Sequence, residues 1–378
     1  MMKKFLLTLA ALLPALSAGA QTGILDFHPK EEVVPLLEAA RSRAVVWGQG
    51  AAAPALTLLH FSDLHGDSEN LARIAQFKEA YSAWIEDAIH VGDAVACYWD
   101  DPNPWDQVPS AHTILNAVGN HDCWKGHLLW SQTPLPYDAT QADAYSLIMT
   151  GKDSAHPFIR SWGVVQPEGF DRPSSPHYKA CYYYKDYPDQ TVRLIVLDCM
   201  HYGDIQHEWF QATLKQALGA GLTVIAAQHY PAQSGLDAIP GGFSERDEVL
   251  GPEPSPAPDS QMERMPDRAF TAIDEFMAEG GTFTCWLSGH THLDFVGHVP
   301  GHSRQLQIIA DKAGFKDDYM QEARPRGTRF QDAFNLVTVN PGRSLLVIQR
   351  IGCNRDQYLR PKTLFCYDYK NGTVLVNE

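Results

Sequence analysis

Histidine, aspartate and asparagine side chains recur in five short clusters along the chain, and each cluster directly follows a run of aliphatic or β-branched residues. The clusters are 62–66 (SDLHG), 91–93 (VGD), 119–122 (GNHD), 228–231 (QHYP) and 288–292 (SGHTH). Carboxylate oxygens and imidazole nitrogens together suit zinc, manganese and iron, whereas an all-oxygen set would favour calcium or magnesium. The clusters therefore predict a transition-metal site if the fold brings them together.

The runs that precede the clusters have the length and composition of buried β-strands, and helical patterns separate them. Strand-like runs cover 55–61, 88–91, 112–118, 191–198, 222–228 and 282–288. Helix-like apolar spacing covers Glu69 to Ile85, Ile205 to Leu218 and Asp267 to Ala278, and another helix is expected around Glu31 to Val45. The alternation predicts α/β architecture, in which strand ends converge on one crevice and can collect distant side chains.

The last third of the chain has a different pattern, because strand-like runs follow one another without intervening helices. These runs are 294–299, 305–310, 334–340, 344–351, 364–369 and 373–377. Sequences such as Asn371-Gly372 are typical of tight turns between antiparallel strands. Two further segments, 131–180 and 240–260, are predicted to be irregular loops inserted in the domain that select the substrate.

The ordered series Asp-x-His, Gly-Asp, Gly-Asn-His-Asp, His and Gly-His-x-His resembles the calcineurin-like metallophosphoesterase superfamily. The resemblance extends from Asp63 to His292 with every element in order. The alternative, scattered surface histidines and turn aspartates, would have to produce five independent matches. The resemblance implies a four-layer αββα sandwich of two mixed β-sheets, with the metals at the edge where the strand ends meet.

For the site, the resemblance implies two metal ions, of manganese, iron or zinc, that share the carboxylate of Asp93. One ion would be held by Asp63, His65, Asp93 and His292, and the other by Asp93, Asn120, His229 and His290. Such ions make a nucleophile from bound water at neutral pH and bind phosphate oxygens. The implied reaction is phosphoester hydrolysis by direct in-line attack of a metal-bound hydroxide, without a phospho-enzyme.

Two residues of the third cluster are candidates for catalysis rather than for metal binding. His121 follows the predicted ligand Asn120, and we expect it to act as leaving-group acid or to stabilise the transition state. Asp122 is expected to orient the His121 imidazole and to raise its basicity.

Three other polar residues near the clusters are expected to have structural roles. His60 and His90 lie inside strand-like runs, where core histidines are commoner than metal ligands. Asp67 is expected to cap the helix that begins near Ser68.

The first twenty residues have the three parts of a secretory signal peptide. A basic start precedes an apolar run from Phe5 to Leu16 that is short for a bilayer span, and small residues follow, so we predict cleavage after Ala20. The alternative is a membrane anchor. We expect a periplasmic or secreted protein with an N-terminal extension, 21–54, and one metallophosphoesterase domain, 55–378.

Seven cysteines would then enter an oxidising compartment, where disulfides can persist. The odd number leaves at least one thiol unpaired. The pairing stays open at this level; the candidates are Cys181 with Cys199 and Cys353 with Cys366, because each pair falls in two strand-like runs that could be neighbours.

The charge of the chain restricts its partners. Its 378 residues include 30 Lys and Arg against 45 Asp and Glu, a formal net charge of −15, and removal of a signal peptide with two lysines leaves −17. This balance disfavours a nucleic-acid polymer as partner and opposes long polyanionic substrates. We therefore expect a small phosphomonoester or phosphodiester as the substrate, with no membrane anchor and with the oligomeric state open.

Two alternative functions remain at this level. One is a phosphodiesterase that acts on a nucleotide or a phospholipid headgroup, and the other is a secreted metal-binding protein without turnover. A purple-acid-phosphatase centre is disfavoured because Ala96 occupies the position where that family has its tyrosine. A two-domain nucleotidase is disfavoured because fewer than 90 residues follow His292.

Overall fold

The structure is a computed structural model that describes residues 23–46, 54–95, 103–123, 140–145, 163–232, 237–238, 265–292, 294–314, 324, 326–352 and 364–377. The predicted signal peptide, the segment 240–260 and, apart from 140–145, residues 131–162 lie outside the described residues. The proposed division into signal peptide, extension and domain therefore stays a prediction.

Fifteen strands and seven α-helices are formed by the described residues. The strands are β1 (Leu56–Phe61), β2 (Asp87–Val91), β3 (Leu115–Ala117), β4 (Val164–Val165), β5 (Tyr183–Tyr187), β6 (Val192–Val196), β7 (Thr223–Ala227), β8 (Asp237–Ala238), β9 (Thr282–Ser288), β10 (Phe295–Val299), β11 (His302–Ile309), β12 (Ala333–Asn340), β13 (Leu345–Gly352), β14 (Leu364–Asp368) and β15 (Thr373–Asn377). The helices are α1 (Ile24–Phe27), α2 (Lys30–Val46), α3 (Ser68–Ala80), α4 (Pro104–Gln107), α5 (Gln141–Ala144), α6 (Asp204–Ala220) and α7 (Asp267–Ala278). Short 3-10 helices cover Pro109–Thr113, His121–Cys123, Pro188–Gln190, Arg329–Gln331 and Pro341–Arg343.

The strands form two mixed sheets. The first sheet has seven strands in the order β15-β14-β13-β12-β1-β2-β3, in which β1, β2 and β3 are parallel and β12 to β15 are antiparallel. The second has eight strands in the order β4-β5-β6-β7-β9-β11-β10-β8, with β6, β7, β9 and β11 parallel at its centre. The five clusters follow the carboxyl ends of β1, β2 and β3 in the first sheet and of β7 and β9 in the second.

The two sheets pack face to face, and helices cover their outer faces. Leu194 and Val196 of β6 belong to the same buried cluster as Leu58 of β1 and Leu346 of β13, so this cluster joins the two sheets. Side chains alternate along a strand, and Ile195 accordingly belongs to a second cluster, which contains Phe210 of α6 and Phe270 of α7. A third cluster joins Ala40 of α2 to Leu345 and Val347 of β13. The predicted four-layer αββα sandwich is confirmed.

The N-terminal extension is packed on the first sheet through polar contacts as well as apolar ones. His28 Nε2 lies 3.0 Å from Asp332 Oδ2, and the Arg73 guanidinium donates to both oxygens of Asp332 at 2.8 Å. Arg41 of α2 donates to Glu86, the residue before β2. Pairing of the buried Arg73 and Asp332 avoids the cost of isolated buried charges.

Several predicted elements differ from those observed. The strand predicted from 112 begins at Leu115, because residues 109–113 form a 3-10 helix with proline at its first position. The helix predicted to reach Ile85 ends at Ala80, where the chain turns. Asp67 caps α3 as expected, and its side chain accepts from the backbone N–H of Asn70 at 3.0 Å.

Two further findings concern the cysteines and the helices. Cys199 is a free and buried thiol, so the candidate pair Cys181–Cys199 is not formed. Cys97 and Cys353 lie outside the described residues. Among the helices in the described ranges, none combines the length and the apolar character that a membrane span requires.

Candidate metal centre

The loops after β1 and β2 continue the parallel pairing of their strands and thereby fix three of the predicted ligands. Asp63 N donates to Gly92 O at 3.0 Å, and His65 N donates to Asp93 O at 3.0 Å. These backbone bonds hold the Asp-x-His loop directly beside Asp93.

The backbone at the predicted ligands is strained. Eight non-glycine residues of the described ranges have a positive φ, and the following five of them are predicted ligands: Asp63, His65, Asp93, His290 and His292. Left-handed backbone costs roughly 1–2 kcal/mol for such residues, and it persists at functional sites because the surrounding structure enforces it. This concentration of strain marks the strand-end loops as a functional site.

Two motif glycines are required because other groups approach them closely. A Cβ at Gly92, whose φ is +98°, would lie 2.6 Å from His229 Nδ1, and a Cβ at Gly119 would lie 2.2 Å from Asp93 Oδ1. No side chain could be accommodated at either position without displacing a predicted ligand.

The first group of donors combines the first and last clusters of the sequence. His292 Nε2 lies 3.1 Å from Asp63 Oδ1 and 3.1 Å from His65 Nε2, and His65 Nε2 lies 3.5 Å from the same Asp63 oxygen. The ligand atoms of the three residues all lie within 4.8 Å of one another. They fit a single metal position.

The second group combines the three middle clusters with His290. His229 Nε2 lies 2.9 Å from Asn120 Oδ1 and 3.2 Å from Asp93 Oδ2, and His290 completes a set of Asp93, His229 and His290 donors within 4.8 Å. His229 Nδ1 lies 2.7 Å from the carbonyl oxygen of Val91. A carbonyl can only accept, so Nδ1 carries a hydrogen and Nε2 is the atom directed to the metal position.

Asp93 connects the two groups. Its Oδ1 accepts the backbone N–H of His121 at 2.9 Å, whereas its buried Oδ2 receives no hydrogen bond of ordinary geometry from the described residues. Oδ2 lies 3.2 Å from His229 Nε2 of one group and 3.9 Å from His65 Nε2 of the other. Such an oxygen is costly unless it has a partner, and it lies where a bound metal ion could use it together with donors of either group.

The electrostatics of the site favour metal-binding protonation states at most positions. Burial, with nearby positive charge, lowers the pKa of His65 to about 4 and that of His290 to about 3, which leaves both imidazoles neutral. Burial alone would raise the pKa of Asp63 and Asp93, but the surrounding histidines hold both below the ordinary value. Burial would lower the pKa of His229, but the Asp93 carboxylate outweighs it and raises this pKa to about 9.

His121 lies at the edge of this centre. Its ring centroid is 4.5 Å from that of His65, and its Nε2 is 4.0 Å from Asp93 Oδ2. The side chain is 14% exposed, in contrast to the fully buried His229. Its ligand atom also lies within 4.8 Å of those of His65 and Asp93, so His121 could itself hold a metal ion, and its catalytic role stays a prediction.

Asp122 has contacts that differ from the predicted ones. Its carboxylate accepts from the backbone N–H groups of Asp93 at 3.0 Å, Val95 at 3.2 Å and Gly119 at 2.9 Å. Burial, followed by the charge of Asp93, raises its pKa to about 7. The oxygens of Asp122 thus hold the backbone of two ligand loops, rather than the imidazole of His121 as the sequence suggested.

The seven predicted ligands are thus all brought together, and His60 and His90 are excluded from both donor groups as expected. Both are fully buried, and burial lowers the pKa of each to about 3, so they are neutral core side chains.

Sequence reasoning missed the segment 311–314, which supports the Asp-x-His loop. Ala313 N donates to Ser62 O at 2.8 Å and Gly314 N to Asp63 O at 2.9 Å. In the sequence, the only local sign of this role is Gly314. A Cβ at this position would lie 2.2 Å from Leu64 O, so a glycine is needed for the close approach to the Asp-x-His loop.

Comparisons with known proteins find distant similarity to solved structures. No protein-family model matches the chain, and no curated protein matches it. Among solved structures, a dimetal phosphatase from Danio rerio is similar with 11% identity and a TM-score of 0.46, over 79% of this chain and 96% of that one. A predicted phosphoesterase from Streptococcus pneumoniae has 12% identity and a TM-score of 0.31, over 81% and 92%. GAP50, the anchor in the inner membrane complex of Plasmodium, has 11% identity and a TM-score of 0.38, over 86% and 88%. Likenesses of this size carry no functional argument, and the functional conclusion depends on the motifs and on the geometry of the site.

Proposed function

We propose that this protein is a dinuclear metal-dependent phosphoester hydrolase that acts on a small phosphomonoester or phosphodiester. The observation that carries the proposal is the position of Asp93 Oδ2 between two groups of donors, one with Asp63, His65 and His292 and one with Asn120, His229 and His290. A carboxylate shared by two donor groups would hold two ions close enough together for two-metal hydrolysis of a phosphate ester.

Manganese, iron or zinc would supply a nucleophile from water at neutral pH and would neutralise the charge of the phosphate oxygens. The residues of the chain have separate tasks. The seven ligands would hold the ions, Asp122 holds the backbone at Asp93 and Gly119, and His121 would donate a proton to the leaving group.

Secretion belongs to the proposal as well. The N-terminal pattern of two lysines, an apolar run and small residues supports export with cleavage after Ala20. Fractionation of cells that express the full chain should recover a protein that begins at Gln21 outside the cytoplasm. A cytoplasmic protein that retains its first twenty residues would contradict export without affecting the enzymatic proposal.

The chain without its first twenty residues tests the catalytic proposal. It should be supplied in turn with Mn²⁺, Zn²⁺ and iron, and assayed on p-nitrophenyl phosphate and on bis-p-nitrophenyl phosphate. We expect metal-dependent hydrolysis of at least one, abolished in Asp93→Asn and retained in Asp274→Asn, which changes a partly exposed carboxylate outside the centre. Two bound ions without hydrolysis of either ester would instead support a metal-binding protein.

A further inference from the structure

A buried ion pair joins the loop of the last two histidines to the opposite sheet. Asp294 lies two residues beyond His292, and its Oδ2 pairs with the Arg350 guanidinium of β13. The Arg350 and Asp294 side chains are 1% and 4% exposed. Arg350 is also tied to its own sheet, because its Nε donates to Asn335 Oδ1 on β12 at 3.3 Å. The pair therefore connects the two sheets beside the metal centre.

The other oxygen of Asp294 continues this connection to the first ligand loop. Asp294 Oδ1 accepts the backbone N–H of Asp311 at 2.9 Å. The chain that follows Asp311 then donates from 313 and 314 to the carbonyl oxygens of Ser62 and Asp63. One carboxylate thus links the loop that carries His290 and His292 to the loop that carries Asp63 and His65.

The loop between β9 and β10 needs such a connection. His290 has a φ of 71° and His292 a φ of 56°, and backbone of this kind is maintained only when the surroundings enforce it. A buried ion pair is weak support for stability as such, because the loss of hydration of both charges offsets their attraction. Its position at the end of the strained loop points instead to a role in fixing the geometry of that loop.

We propose that Asp294 and Arg350 form a positioning pair that holds His292 in register with Asp63 and His65, so that binding of the ion at this position depends on it. The inference rests on the proposed function, since it concerns one of the two metal positions assigned there. Neither Asp294 nor Arg350 belongs to the donor groups. They act through the loop, as partners behind metal ligands do elsewhere.

The test compares two double variants that each remove both charges of an ion pair, a buried pair in the first variant and a pair with a partly exposed carboxylate in the second. Asp294→Asn/Arg350→Met keeps an oxygen that can accept from Asp311, and it leaves no unpaired charge, which is the form of substitution that folded proteins tolerate. Asp186→Asn/Arg193→Met is the matched control, because Arg193 donates to both oxygens of Asp186 at 2.7 and 2.8 Å on the β5–β6 pair, outside both donor groups.

Mn²⁺ binding is measured by equilibrium dialysis with metal quantification, and electron paramagnetic resonance reports whether the two ions are coupled. Thermal unfolding of both metal-free variants verifies the fold. We expect the Asp294→Asn/Arg350→Met variant to bind one of its two ions about 10-fold or more weakly, because loss of a residue that supports a metal ligand typically has an effect of this size. Its electron paramagnetic resonance signal should resemble that of His292→Ala. The control variant should bind both ions as the parent chain does.

Arg350→Lys provides a second route if the double variant does not fold. It keeps the buried charges balanced, and it should weaken the same ion by a smaller factor because an ammonium group lacks the planar fork of a guanidinium. If a folded variant of either kind binds both ions with the affinities of the parent, the positioning role is overturned and the proposed function is not affected. A parent chain that binds no Mn²⁺, Zn²⁺ or iron would overturn the proposed function together with it.

Discussion

The Nε2 atoms of His65 and His292 lie 3.1 Å apart, although the residues are separated by 227 positions in the chain. Asp63 Oδ1 lies 3.1 Å from His292 Nε2 and 3.5 Å from His65 Nε2. Packing of a core does not require two imidazole nitrogens to face each other beside a carboxylate. A cation coordinated by all three atoms would account for their convergence.

Substitution of the shared carboxylate should remove both ions. In Asp93→Asn the bridging charge between the two donor groups is lost, so we expect metal content to fall from two ions per chain to less than one. His292→Ala should lose only one ion, because His292 belongs to a single group. Metal quantification after dialysis measures both. Equal metal content in Asp93→Asn and the parent would show that Asp93 is not shared.

Removal of His121 should reduce turnover without loss of metal. Its Nε2 lies 4.0 Å from Asp93 Oδ2 at the partly exposed edge of the site, where it can reach a leaving group. We expect His121→Ala to lower kcat about 100-fold or more, the usual contribution of a general acid. His302→Ala is the control, since this histidine pairs with Asp274 away from the centre. Near-normal hydrolysis by a metal-replete His121→Ala protein would refute the role.

Asp122→Asn should act on stability and on the ligand loops rather than through His121. In the parent, the carboxylate accepts from three backbone N–H groups. Asparagine at this position has only one oxygen to accept from them, and its NH2 group would face N–H donors. We expect a loss of about 1–3 kcal/mol in the free energy of unfolding.

A double-mutant cycle on kcat separates the two interpretations of Asp122. If Asp122 holds the backbone, its effect should add to that of His121→Ala. If it oriented the His121 imidazole, the double variant would be no slower than His121→Ala alone.

The contacts of Asp332 with His28 and Arg73 should make the free energy of unfolding depend on pH in the acid range. Burial alone would raise the pKa of Asp332, but hydrogen bonds from His28 and Arg73 hold it below the ordinary value. A lowered pKa contributes stability that is present above the unfolded-state pKa, about 4, and is lost as the pH falls through the folded-state pKa. Urea unfolding from pH 7 to pH 3 should therefore show that the parent exceeds Asp332→Asn at neutral pH and that the difference shrinks below about pH 4. A difference independent of pH would contradict this origin.

Much of the fold follows from local patterns. The helix predicted over 267–278 and the strand predicted over 282–288 have the observed bounds, because apolar spacing and the flanking glycines are properties of a short segment. The order of strands is not such a property. β11 lies between β9 and β10 in the second sheet, and no local pattern indicates that arrangement.

The features of the site also divide into those that the sequence indicated and those that depend on tertiary structure. The five sequence clusters were sufficient to indicate the resemblance to the metallophosphoesterase superfamily, and the resemblance, carried over by position, implied the seven donors. Only the tertiary structure decided that Asp122 binds backbone N–H groups rather than His121, that Asp294 pairs with Arg350, and that Asp93 Oδ2 faces both groups of donors. The physical reason is that a side chain's partner depends on which atoms of distant segments the packed sheets place within about 3 Å of it, and a linear motif does not contain that information.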